Sequence, residues 1–73
     1  FPDRGVDSMI TAKVKIKLAL DEEVTASDID VITEDNVVYL MGVVPKIMGE
    51  KAANRAQETG GVRRVVKVFE YID

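Results

Sequence analysis

Residues 28–44 read DIDVITEDNVVYLMGVV, and this stretch decides the fold. Apolar or β-branched side chains occupy every second position from 29 to 33, the pattern of a half-buried strand. Asp35 and Asn36 follow between two apolar runs, and both residue types tolerate left-handed backbone angles, so they predict a tight hairpin turn. Residues 37–44 predict the second strand of that hairpin.

Upstream of the hairpin, residues 7–20 predict a helix. Residues 13–18 alternate between lysine and apolar side chains, which is by itself a strand pattern. Three apolar residues nevertheless recur four positions apart: Ile10, Val14 and Leu18. Because this is the helical repeat and Ala and Lys favour helices, we prefer the helix. Asp7 or Ser8 is the predicted N-cap.

Downstream of the hairpin, Pro45 suits the first turn of a second helix, where its missing N–H is not needed. Small or apolar residues form one face of this helix: Met48, Gly49, Ala52, Ala53 and Ala56. They predict close packing against the sheet. Gly60 and Gly61 are the predicted helix terminator, and 62–72 the third strand. The fold class is therefore α+β, in the order α-β-β-α-β, with two helices packed on one face of a three-stranded mixed sheet.

The 73 residues suffice for one domain, which we place at 7–73 after a lead-in at 1–6. The chain contains neither Cys nor His, so it lacks the usual zinc ligands and the usual nucleophile–base pairs. The sequence therefore predicts no enzyme, no catalytic residue, no metal and no cofactor. A net charge of −3 argues against a dedicated nucleic-acid binder, which carries a surplus of basic residues.

Charge is unevenly distributed along the chain. Seven acidic residues and no basic residue lie between Asp21 and Asp35, with lysines and arginines on either side. Asp28 and Asp30 lack the ligand spacing of a calcium-binding EF-hand, so solvated surface is the preferred interpretation of this acidic stretch. Such a polarised molecule can still present one basic side to an anionic surface.

The first predicted helix carries a second apolar stripe beside its core-facing stripe. It consists of Met9, Ile16 and Leu20, with Lys13 and Lys17 between the two stripes. Apolar side chains next to lysines are the composition of a surface that rests on anionic lipid headgroups. The alternative is that the stripe only widens the core contact while the lysines extend to solvent.

The second strand has two apolar faces. Val38, Leu40 and Val44 point one way. The opposite face carries Val37, Tyr39, Met41 and Val43. In the third strand, odd-numbered and even-numbered residues are also both apolar, so the sequence does not show which of them face the helices. Because two helices cover only one face of the sheet, we expect a partner to cover the other.

Several short runs together resemble the BON domain, a module named for osmotically inducible and nodulation proteins of bacteria. The most specific are Val38-Tyr39-Leu40-Met41-Gly42-Val43-Val44 and Gly61-Val62-Arg63-Arg64-Val65. The resemblance extends from about Asp7 to Ile72. Within the family a glycine often stands in the hairpin where this chain has Asn36. Gly42 and Gly61 are structural positions by this resemblance, and the family supplies no catalytic residues to transfer.

The resemblance implies a periplasmic setting associated with the outer membrane, in lipoproteins that often carry two such domains in tandem. It also implies a proposed role in binding phospholipid or in interacting with the envelope. Two hypotheses follow. In the first, Lys13, Lys17, Met9, Ile16 and Leu20 bind anionic phospholipid. In the second, Val37, Tyr39, Met41 and Val43 dock a sister BON domain or another envelope protein.

Overall fold

The computed structural model describes residues 4–72 and confirms the predicted α+β order. Its elements are α1 (Arg4–Leu20), a short 3-10 turn (Ala26–Asp28), β1 (Asp30–Glu34), β2 (Val37–Val44), α2 (Lys46–Gln57) and β3 (Arg64–Tyr71). Residues 1–3 of the predicted lead-in, and residue 73, lie outside the described residues. No helix within 4–72 is long and apolar enough to cross a bilayer.

The predicted hairpin is confirmed at the predicted residues. Asp35 and Asn36 have φ angles of 52° and 64°, the left-handed values that a two-residue turn of this hand requires. The Asn36 side chain also donates a hydrogen bond from Nδ2 to the Gly61 carbonyl oxygen at 2.9 Å. A glycine at position 36 would fit the turn but would lack this link to the segment that leads into β3.

The sheet order is β1-β2-β3, with β1 antiparallel and β3 parallel to β2. Both helices pack on the same face, with α1 over β1 and α2 over β2 and β3. The core between the two layers includes the first-helix stripe that the sequence predicted, and its largest fully buried side chains are Leu18, Leu40, Val14, Val38 and Val44.

The pairing register settles the facing of β3. Val38 is buried on the helix-covered face and pairs with Val65, so Val65 shares that face. Phe69 and Tyr71 follow with the same parity, and their rings approach the buried Gly49 of α2. A Cβ atom at Gly49 would lie 3.0 Å from each ring, which confirms the predicted close packing of α2.

The predicted start of α1 is wrong. The helix begins at Arg4, before the residues that were expected to cap it. Asp7 lies inside the helix and its carboxylate accepts hydrogen bonds from the backbone N–H groups of Asp35 and Asn36, each at 3.2 Å. The Asp7 side chain therefore stabilises the hairpin turn and does not cap the helix.

Both predicted boundaries of α2 need correction. Pro45 precedes the helix as its N-cap residue, with an extended ψ of 149°, instead of lying in the first turn. The helix ends at Gln57, before the glycine pair, and the Thr59 hydroxyl donates a hydrogen bond to the Arg55 carbonyl oxygen at 3.0 Å. This side-chain bond supplies a partner to a carbonyl of the last helical turn.

Candidate functional site

The second stripe of α1 is exposed, on the far side of the helix from the core. Met9 is 58% exposed, Ile16 59% and Leu20 77%, whereas Ile10, Val14 and Leu18 are buried. The structure thus excludes the interpretation that these three side chains widen the core contact. None of the three is among the side chains that pack against the core in the described part of the chain.

Lys13 completes this surface. Positions 9, 13, 16 and 20 are spaced by four, three and four residues, which aligns them along one side of a helix. Lys13 is exposed and lies between the apolar side chains of Met9 and Ile16. We call these four residues the outer face of α1: Met9, Lys13, Ile16 and Leu20.

Lys17 is placed differently from Lys13. It is half-buried, and its Nζ atom donates a hydrogen bond to the Glu58 carbonyl oxygen just beyond the end of α2, at 3.4 Å. Lys17 therefore borders the outer face of α1 on the side toward α2. Of the two lysines that the sequence assigned to lipid, Lys13 is the one that lies in line with the apolar side chains.

Sequence reasoning missed Lys15 as a third basic residue near this surface. Lys15 is exposed on the other flank of α1, where it borders a shallow cavity with Leu18, Ala26 and Ser27. The signal was available, because α1 carries lysines at 13, 15 and 17 and no acidic residue after Asp7.

Two acidic residues just beyond α1 are neutralised by bases of α2. Asp21 Oδ2 lies 2.9 Å from Arg55 Nε, and Glu23 Oε1 lies 2.9 Å from Lys51 Nζ. The hydrogen bond from Arg55, assisted by the Glu23 backbone N–H, holds the pKa of Asp21 below its ordinary value. The acidic stretch therefore adds less repulsion beside Leu20 than its sequence suggests.

The second predicted surface is the sheet face opposite the helices. Val43 is 52% exposed, Tyr39 and Met41 are half-buried, and Val37 is 8% exposed. Val37 is thus the member of the predicted interface that contributes little accessible surface. The other three remain available to a partner.

Neighbouring strands extend this apolar sheet face. Ile32 of β1 and Val66 of β3 pair with Tyr39, and Val68 of β3 pairs with Met41. Ile32 and Val68 are 50% and 54% exposed. Sequence reasoning missed Ile32, and it could not assign Val66 or Val68 because both parities of β3 are apolar. We call the combined surface the open sheet face: Ile32, Tyr39, Met41, Val43, Val66 and Val68.

A groove with a volume of about 500 Å³ lies between α1 and β1. Three of its polar side chains are hydrogen-bonded: the Thr11 and Thr33 hydroxyls lie 2.7 Å apart, and Asp7 accepts hydrogen bonds from the hairpin turn. No three acidic side chains converge within residues 4–72 in a way that would hold a metal ion. Asp28 and Asp30, considered above for calcium, are both exposed.

The sequence is similar to a known domain family and to larger known proteins. The family model described as "BON domain" matches residues 6–73. The chain is 42% identical over 73 residues to "Outer membrane lipoprotein DolP" of Haemophilus influenzae, a match that covers 100% of this chain and 38% of that protein. It is 39% identical over 68 residues to "21 kDa hemolysin" of Actinobacillus pleuropneumoniae, covering 93% of this chain and 35% of that protein. The chain thus spans little more than a third of either relative.

Proposed function

The chain belongs to the BON domain family, and on that premise we propose that it is a non-catalytic module of the bacterial envelope that binds anionic phospholipid surfaces through the outer face of α1. The name of the relative from Haemophilus influenzae, an outer membrane lipoprotein, supports the envelope setting and a periplasmic position at the outer membrane. The observation that carries the lipid proposal is the alignment of Lys13 with three large exposed apolar side chains on one side of α1.

The physical basis of binding is shallow burial combined with electrostatic attraction. A helix of this composition lies in the plane of the headgroups with its apolar side chains at the acyl boundary. Each basic residue near an anionic surface contributes about 1 kcal/mol, an attraction that salt screens. With few such contacts, one copy binds weakly, and strong attachment depends on several contacts to the same membrane.

NMR titration of the labelled chain with anionic and with zwitterionic lipid micelles tests the proposal. We expect the anionic micelles to shift backbone resonances between Met9 and Leu20, by amounts that shrink as the salt concentration rises. Zwitterionic micelles should give much smaller shifts. Equal shifts with both lipids, or shifts confined to the strands, would contradict the proposed site.

Three charge reversals sharpen this test. Lys13→Glu should abolish the response of α1 to anionic lipid. Lys67→Glu changes the net charge by the same amount on β3 and should leave that response in place. Lys17→Glu should weaken it less than Lys13→Glu does, because Lys17 is already engaged with the Glu58 carbonyl. If Lys13→Glu binds anionic lipid as well as the wild type, the proposal fails.

A second candidate function uses the open sheet face. The exposed side chains of Ile32, Val43 and Val68 favour docking of a sister BON domain or another envelope protein, since contiguous apolar surface on a soluble domain commonly marks an interface. Light scattering on mixtures with a second BON domain tests this candidate. Association that Tyr39→Lys abolishes would support it, and mixtures that stay dissociated would contradict it.

A further inference from the structure

The third strand has a free edge. In the described part of the chain β3 pairs only with β2. The Ile72 N–H donates to the Val44 carbonyl oxygen at 3.2 Å, and Val44 pairs with Tyr71. In a parallel ladder, every second residue of a strand directs both its N–H and its C=O group toward the same neighbouring strand, and the residues between them direct both groups the other way. The even-numbered residues of β3 therefore face β2, and the backbone groups of Val65, Lys67 and Phe69 face the free edge.

The sequence of β3 is close to a mirror image of itself about Lys67. Val66 and Val68 flank it on the open sheet face, and Val65 and Phe69 flank them on the helix-covered face. Three positions from the centre stand charges of opposite sign, Arg64 and Glu70. When two copies of this strand pair antiparallel about Lys67, each apolar residue lies opposite another apolar residue. Each arginine at position 64 then lies opposite a glutamate at position 70, so the charges are opposite.

Both charged residues are available for such pairing. Arg64 and Glu70 are exposed, and neither has an ion pair among residues 4–72. By parity they lie on the same face of the sheet, at opposite ends of the strand. The nearby arginine, Arg63, is already bound to Asp35 at 3.2 Å, so it does not compete for Glu70.

We propose that two copies of this chain associate edge to edge, with β3 antiparallel to β3 of the second copy about a two-fold axis at Lys67. The result is a continuous six-stranded sheet. Val65 and Phe69 of opposite copies form hydrogen-bonded pairs. Val66 with Val68, and Arg64 with Glu70, occupy the non-hydrogen-bonded positions, where side chains are closest. The two Lys67 side chains meet at the axis and repel, so the dimer is weak and reversible.

This arrangement has a consequence for membranes, which rests on the proposed lipid-binding function. The two-fold axis of an edge-to-edge antiparallel pair is perpendicular to the sheet, so both helix layers lie on one side. The outer face of α1 points away from the sheet in each copy. Both lipid-binding surfaces thus meet one flat membrane together, which raises avidity. Packing of two open sheet faces would instead direct the two surfaces in opposite directions.

Sedimentation equilibrium in lipid-free buffer tests the dimer separately from lipid binding. We expect an average mass that rises with concentration toward that of two chains. Glu70→Arg places like charges at both ends of the interface and should weaken association roughly 10-fold, since two cross-strand pairs change sign. The double variant Arg64→Glu with Glu70→Arg restores both pairs and should associate like the wild type.

Two substitutions at the axis give opposite expectations. Lys67→Thr removes the central repulsion and should strengthen association. Lys67→Pro removes an N–H that faces the free edge, not β2, and should give a folded monomer, with circular dichroism as the check on folding. If wild type and Lys67→Thr are both monomeric at millimolar concentration, the dimer proposal is overturned while the lipid proposal stands. Association that Tyr39→Lys abolishes and Glu70→Arg does not would assign the dimer to the open sheet face and equally overturn it.

Discussion

The Oδ1 atom of Asp7 accepts a hydrogen bond from the backbone N–H of Asn36 at 3.2 Å, across 29 positions of the sequence. The other carboxylate oxygen of Asp7 binds the adjacent N–H of Asp35. The first turns of α1 are thereby fixed to the hairpin, which sets how α1 lies across β1. The orientation of the outer face of α1 follows from this attachment at one end and from the buried stripe along the helix.

Loss of this attachment should destabilise the domain. We expect Asp7→Ala to lower the free energy of unfolding by about 1–2 kcal/mol, because two backbone donors lose a charged acceptor. Urea denaturation measures the change. Ser8→Ala is the matched control, with an effect within about 0.5 kcal/mol, since Ser8 is an exposed residue. Equal losses of stability in Asp7→Ala and Ser8→Ala would contradict the role assigned to the Asp7 carboxylate.

Gly42 occupies a position that only glycine fits. Its φ is +147°, and a Cβ atom there would overlap the carbonyl oxygen of Asp28. Gly42→Ala should therefore cost more than about 2 kcal/mol of unfolding free energy. Gly60→Ala, where a Cβ atom meets no atom within 4 Å, should be close to neutral. Thermal unfolding of the two variants side by side would refute this account if they were equally stable.

Because of the ion pair between Asp21 and Arg55, the free energy of unfolding should fall at acidic pH. The hydrogen bond from Arg55 lowers the pKa of Asp21 in the folded state, so the folded chain binds a proton less readily than the unfolded chain. The stabilisation is complete above the unfolded pKa and is lost as the pH falls through the folded pKa, that is below about pH 4.

Asp21→Asn should remove this dependence and lower stability at neutral pH. Urea denaturation from neutral to acidic pH, compared with the wild type, measures both effects. Glu22→Gln removes a neighbouring exposed carboxylate and serves as the control, with little change expected. Parallel acid profiles for wild type and Asp21→Asn would show that the ion pair does not contribute.

Two leucines near the end of α1 should separate folding from lipid binding. Leu18 is 1% exposed, and Leu18→Ala should cost about 3 kcal/mol through the cavity it leaves. Leu20 is 77% exposed, so Leu20→Ala should leave thermal stability nearly unchanged. It should instead weaken binding to anionic micelles in the NMR titration. A Leu20→Ala variant that loses stability but binds lipid normally would contradict the proposed role of the outer face of α1.

The errors at helix ends have a common physical cause. Asp7 and Ser8 have side chains typical of N-caps, but an N-cap lies where the helix begins, and α1 begins earlier, at Arg4. The Asp7 carboxylate instead accepts hydrogen bonds from a turn 28 and 29 positions away. For Lys17, the sequence predicts a position beside the exposed apolar stripe, and the structure adds a hydrogen bond from its Nζ atom to the Glu58 carbonyl oxygen beyond the end of α2. Neither partner is detectable in the local pattern, because both arise only when distant elements pack together.

What the sequence determined by itself is local. The left-handed tolerance of Asp35 and Asn36 determined the hairpin, and the four-residue spacing of Ile10, Val14 and Leu18 determined the buried side of α1. Tertiary structure decided which face of the sheet each residue of β3 occupies, because the local pattern is apolar on both faces. Val65 and Val66 are equally apolar, and the parallel register of Val65 with Val38 is what turned one to the helices and the other to the open sheet face. A strand with two apolar faces has no preferred side until a neighbour fixes its register.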